Sequence, residues 1–222
     1  MPRRPPLSTW VIGVFAAMCL GLPVRAQDVP GYPPLTPHTM LHGPYDSREL
    51  AMLPRYCYFT QVFRQFAPGG NDIQEQERWY AYLGPTYHHL HHYCWAMMKT
   101  NRALLLARDR RVRQFFLNDS IAEFDYVIER AKPDFVLLPE ILTKRGENQF
   151  LLNRAPLGIL DLERAMEIKP DYWPPYARLA DYYKESGDTA KARQVLEAGL
   201  KAAPQASALS RRLAELGSVR QK

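Results

Sequence analysis

The sequence predicts an all-α chain built as an array of helical hairpins, and three observations carry that prediction. Helix formers (Ala, Leu, Arg, Glu) dominate the second half, where β-branched runs that would build a sheet are scarce. Small and large apolar residues recur at fixed offsets between Trp173 and Pro204. Pro170 and Pro204 stand 34 residues apart, the span of one helix–turn–helix unit.

The chain has 222 residues and is 46% hydrophobic, enough for one domain with a proper core or for a short helical array. Of the net charge of +6, three charges (Arg3, Arg4, Arg25) lie in the first 26 residues, which contain no acid. Without that segment the chain is only mildly basic, which argues against a nucleic-acid partner.

Residues 1–26 have the make-up of a secretory signal. Arg3 and Arg4 form a charged start, an apolar stretch runs from Trp10 to Leu22, and Val24 and Ala26 precede a cut expected before Gln27. The apolar stretch is about 13 residues, short of the ~20 a spanning helix needs, so no stable membrane span is expected after cleavage. The mature chain is then periplasmic or secreted. Cleavage removes Cys19 and leaves Cys57 and Cys94, each set between aromatics. In an oxidising compartment a disulfide between them is expected, with two buried free thiols as the alternative.

Residues 27–45 are rich in Pro, Gly and Tyr without periodicity and read as a linker. Residues 46–86 form an aromatic-rich N-terminal helical block. Asp46 with Glu49, and Asp72 with Glu75, are capping-box patterns, each opening a short helix. Tyr56–Phe66 is aromatic and fits helix or strand, with helix preferred; Pro68-Gly69-Gly70 reads as a turn and Gly84-Pro85 as a break. Residues 87–133 predict a divergent pair of long helices. One runs from about Thr86 to about Ala107; the second reaches about Lys132, with a restart at Ser120.

Residues 134–205 carry the repeats. Counting from Trp173 as position one, Tyr176, Leu179, Ala180, Tyr183, Gly187, Ala192, Leu196, Gly199 and Pro204 fall at positions 4, 7, 8, 11, 15, 20, 24, 27 and 32. Small residues at 8, 20 and 27 let two antiparallel helices approach, large ones fill the space between them, and Gly187-Asp188 makes the turn. In the preceding unit Gly146, Gly158, Leu162 and Ala165 keep the phase at 8, 20, 24 and 27, while Arg145 breaks it at 7. This pattern resembles the tetratricopeptide repeat. The resemblance covers about Phe135–Gly217 well and Tyr87–Pro133 loosely, giving about two clear repeats plus the divergent pair. Residues 206–222 then supply a solvating cap helix and tail. Leu53–Ala103 also resembles a module associated with secreted bacterial repeat proteins, a likeness that implies no activity.

The resemblance implies a protein-binding groove lined by the first helix of each pair. Carried over by position, the groove residues are Glu140, Thr143, Lys144, Glu147 and Phe150 in one repeat. In the next they are Pro174, Ala177, Arg178, Asp181, Lys184 and Glu185.

One segment suggests chemistry: Tyr87-His88-His89-Leu90-His91-His92-Tyr93-Cys94. On a helix His88 and His92 form an i, i+4 pair able to hold a transition metal. No carboxylate lies within four residues of the cluster, and further ligands would have to come from elsewhere, such as His38 or His42. Packed or surface histidines are the plainer reading. Phosphate loops, nucleophile elbows, Cys-x-x-Cys pairs and dinucleotide fingerprints are absent. The sequence therefore predicts a non-catalytic scaffold or adaptor without cofactors, holding a protein or peptide in the cell envelope. The alternatives are a metal- or haem-binding protein, or a non-catalytic subunit of a polysaccharide assembly or export machine. Oligomeric state is left open.

Overall fold

The computed structural model describes residues 45–218. The expected signal, the linker up to residue 44, His38 and His42 lie outside the described residues. Nine α-helices occur among those described, and no strand: α1 Ser47–Ala51, α2 Ile73–Leu83, α3 Leu90–Asn101, α4 Arg110–Arg130, α5 Leu138–Leu151, α6 Ala155–Ile168, α7 Pro174–Glu185, α8 Thr189–Ala202 and α9 Ser207–Ser218. α3 packs on α4, α5 on α6 and α7 on α8, making three successive hairpins, and α9 covers the last of them. None of these helices is long and apolar enough to cross a membrane.

The repeat residues do what their sizes predict. Gly146 and Gly158 sit where α5 and α6 cross. A Cβ on Gly158 would stand 2.7 Å from the Phe150 ring and 2.9 Å from the Gly146 carbonyl oxygen. A Cβ on Gly199 would likewise strike Leu209 and Tyr176. Gly158→Val is therefore expected to destabilise the chain by about 3 kcal/mol through overpacking, beyond any gain in helix propensity. Urea unfolding of the variant tests this; an unchanged midpoint would mean that the two helices can separate at no cost.

The turn at Gly187 uses a φ of +83°. At the equivalent place in the preceding hairpin stands Asn153, with φ +59°, and asparagine is the side chain that best tolerates this conformation. Arg145, which breaks the pattern, has its own role. It donates to Asp161 on α6 (Nε–Oδ2 2.9 Å) and to Asp125 on α4 (Nη1–Oδ1 2.6 Å). Asp161 is buried, so a charged pair replaces the usual apolar contact there.

Several expectations for the first half need correction. Asp46 caps α1 by accepting from Arg48 N (2.8 Å), but Glu49 does not reach back to complete a capping box; it is buried against the Arg102 guanidinium. Asp72 accepts from Glu75 N (3.2 Å), while the Glu75 carboxylate pairs with Arg78 instead. Tyr56–Phe66 is two 3-10 turns, Arg55–Phe59 and Phe63–Gln65, and no α-helix. The Thr60 hydroxyl donates to the Cys57 carbonyl (2.9 Å) and the backbone of Thr60 is extended, which ends the first turn. The long helix expected from Thr86 is split into a 3-10 turn at Pro85–His89, α3, and a π-helical turn at Arg102–Leu106. α4 passes through Ser120 without a restart, because that hydroxyl donates across to the Ala96 carbonyl (2.7 Å) and does not cap.

The main core joins the N-terminal block to α3, α4, α5 and α6, with Tyr93, Phe63, Phe124, Leu138, Ile141 and Leu142 fully enclosed. A second core lies among α7, α8 and α9. Cys57 and Cys94 form a disulfide that ties the first 3-10 turn to α3, and both are completely buried.

Candidate functional site

The first helices of the hairpins, α3, α5 and α7, share one side of the stack. A cavity of about 250 Å³ opens there, lined by Glu140, Thr143, Lys144 and Glu147 of α5, Tyr172, Trp173, Pro174, Ala177 and Arg178 leading into and along α7, and Arg212 of α9. A second cavity, of about 170 Å³, shares Glu140, Lys144 and Glu147 with it. Its further lining includes Met97, Thr100 and Asn101 of α3, and Met52 and Pro54 of the N-terminal block. The two form one groove across α5, closed at its first end by the chain's own N-terminal block.

Seven of the groove positions named from the sequence line the larger cavity: Glu140, Thr143, Lys144, Glu147, Pro174, Ala177 and Arg178. Asp181 and Lys184 do not. Asp181 accepts a two-pronged pair from Arg212 (2.9 and 3.0 Å), and Lys184 lies 3.5 Å from Glu215, so both serve the α7–α9 contact. Phe150 stacks flat on Tyr182 at 4.5 Å. Charges within the groove are mostly spoken for. Glu140 accepts from the Tyr93 hydroxyl (2.6 Å), Glu147 pairs with Arg178 (2.5 Å), and Thr143 donates to the Pro139 carbonyl (2.7 Å). Lys144 forms no ion pair among the described residues. Sequence reasoning missed Tyr172, Trp173, Arg212, Met52 and Met97. The two aromatics precede α7, and Arg212 belongs to the cap helix, so no repeat position points to them.

The histidine segment is arranged differently from the expectation. His88 belongs to the 3-10 turn, ahead of α3, and its ring faces Tyr80 at 5.1 Å between centroids. His88 thus stands in the 3-10 turn that leads into α3, and His92 within α3 itself. His92 stacks on Tyr126 (3.7 Å between centroids), and its Nδ1 lies 2.5 Å from Glu123 Oε2. The carboxylate missing near the cluster in sequence thus arrives from α4, where Lys99 bonds the same Glu123 (2.6 Å) and Asp119 (2.8 Å). No group of three His, Cys, Asp or Glu side chains suited to a metal ion exists among the described residues.

These charges predict a pH response. Burial, and then the neighbouring His92, push His91 down to about 4. Burial opposes the Glu123 carboxylate, but the bond from His92 and the charge and bond of Lys99 outweigh it and hold that carboxyl below its usual range. For His91 the unfolded chain takes a proton near pH 6.5 while the folded chain waits until about 4. Its contribution is thus present above pH 6.5 and is lost as pH falls toward 4; Glu123 acts in the same direction below the ordinary glutamate range. Stability is expected to fall by about 2 kcal/mol between pH 7 and 4.5, once solvent screening is allowed for. His91→Phe should flatten that slope in chemical denaturation series. A slope of the opposite sign in the native chain would overturn the assignment.

Three stacked hairpins closed by a final helix, with a groove along their first helices, define a helical-hairpin repeat protein. Residues 158–216, from near the start of α6 into α9, match the tetratricopeptide repeat family. No curated protein matches the chain.

Proposed function

We propose that the chain is an exported, non-catalytic scaffold that holds a short extended segment of another envelope protein in the groove across α5, α7 and α9. Tetratricopeptide repeats point to a protein-binding scaffold. One observation carries the finer reading: seven groove positions converge on a single cavity in which Lys144 has no ion-pair partner among the described residues and shares the lining with exposed Trp173. That combination suits an acidic residue next to an apolar one on an extended peptide. Because Met52 and Pro54 close the first end, the segment held is short. Export is supported by the signal-like residues 1–26 and by the disulfide, a bond at home in an oxidising compartment.

A photoreactive side chain at position 178, half exposed in the groove, should give an adduct with an envelope protein. The same group at the exposed outer position 163 on α6 should not. Lys144→Glu should abolish the first adduct. Equal adducts from both positions, or adducts indifferent to Lys144→Glu, would overturn the groove assignment. Mature protein recovered with Met1 still in place would remove the exported part of the reading.

A further inference from the structure

The end of the first hairpin carries a surface that the groove does not use. α3 gives way to the π-helical turn, and the register there is set by Thr100 against Ser120 (2.9 Å) and by Arg113 Nε on the Ala103 carbonyl (3.2 Å). Ala103, Val112, Phe116 and Leu117 form a small buried cluster beneath this end. Leu104, Leu105 and Phe115 nevertheless remain 45%, 63% and 40% exposed. Two adjacent leucines and a phenylalanine in water at one hairpin end are an apolar patch that the fold itself leaves uncovered.

Charge completes the picture. Arg108, Arg110 and Arg111 are exposed within the same turn and the start of α4. None of the three takes part in a hydrogen bond or ion pair among the described residues. The single acid from 102 to 118 is Asp109, whose carboxylate is occupied as the N-cap of α4, accepting from Val112 N (2.9 Å). Cations around a helix N-terminus oppose the helix dipole, so these arginines disfavour the helix they begin. A local choice that works against the fold is where an outside partner is to be sought.

We propose that this hairpin end is a contact for an anionic lipid membrane. Leu104, Leu105 and Phe115 enter the boundary between headgroups and acyl chains, and Arg108, Arg110 and Arg111 meet the lipid phosphates. The pairing of an apolar tip with a ring of cations is what interfacial membrane contacts require. A folded protein partner fits less well. The two groove cavities are lined by other residues, and a fluid apolar phase conforms to exposed side chains at a turn where a rigid surface does not. The contact would hold the stack at a membrane surface while the groove remains open to its peptide.

The test uses the full chain carrying Leu105→Cys in a Cys19→Ser background, labelled at position 105 with an environment-sensitive fluorophore. Vesicles of phosphatidylcholine with one quarter phosphatidylglycerol should blue-shift the label; vesicles of phosphatidylcholine alone should not. This readout is local to the turn and insensitive to the apolar stretch at residues 10–22. Arg108→Glu, Arg110→Glu and Arg111→Glu together should raise the lipid concentration at half-shift by at least about tenfold, since each cation near an anionic surface contributes appreciably. A circular dichroism melt checks that the variant is folded. Absence of a blue shift, a shift of equal size on neutral vesicles, or one unaffected by the three charge reversals would overturn the proposal.

Discussion

Replacing Cys57 and Cys94 together by serine is expected to lower stability by about 4 kcal/mol in the chain-entropy account of a cross-link. The bond joins residues 37 apart, so the unfolded chain gains the freedom of a sizeable loop when it is lost. For a domain of this size that is a fall in melting temperature of about 10 °C. The loss should also have a place. The turn carrying Cys57 has little regular structure of its own, and it is held to α3 by the disulfide and by aromatic contacts such as Tyr56 on Tyr93, 6.3 Å between centroids. Limited proteolysis of the variant should therefore cut first within residues 46–72, leaving the hairpins intact. Because both sulfurs are fully buried, reductant should act on the native protein only slowly and faster as denaturant is added. Equal melting curves for the oxidised protein and the serine variant would sink the prediction.

The sequence showed the hairpins wherever their geometry depends on residue size. Gly146, Gly158 and Gly199 mark close approaches, and Ala165 and Ala192 are fully buried, as their offsets imply. Local spacing reports such contacts because both partners belong to one hairpin of fixed length. What spacing could not report is pairing across hairpins. Nothing near Glu49 announces Arg102, 53 residues away, and the local pattern pointed to a cap instead. His92 and Glu123 are 31 residues apart on different helices. Asp181 and Lys184 hold the positions of groove residues, but theirs is the last hairpin of the described stack, and α9 takes them for its own ion pairs. A repeat position predicts a direction in space, and the neighbour found there depends on how many repeats follow.

The closed end of the groove follows from the same long-range contacts. Met52 and Pro54 line its smaller cavity because α1 and the following turn are pinned against α3. Two of the attachments that hold them are the disulfide at Cys94 and the buried ion pair between Glu49 on α1 and Arg102 just after α3. A chain that lost either would keep its repeats and lose the boundary that sets how long a peptide the groove accepts.

Arg102→Met is the sharper way to loosen that boundary, with an expected loss of 3–5 kcal/mol, order of magnitude about that of the disulfide. Glu49 is 2% exposed, and its two carboxylate oxygens are bonded by the Arg102 Nε and Nη2, the latter at 3.0 Å. Removing the guanidinium leaves a carboxylate with neither water nor a counter-charge, and the large cost comes from that stranded charge more than from the bond itself. A second variant separates the two. Glu49→Leu combined with Arg102→Met replaces both charges by apolar groups of similar bulk, and it should recover most of the lost stability, because a buried pair is itself worth little against a well-packed apolar contact. Urea denaturation of the native chain, the single variant and the double variant gives the comparison directly. If the double variant is as unstable as Arg102→Met alone, the pair acts through its geometry and not through the burial of charge, and the account given of this attachment fails. If it recovers, peptide-length preference in the groove should recover with it, since Met52 and Pro54 are then back against α3.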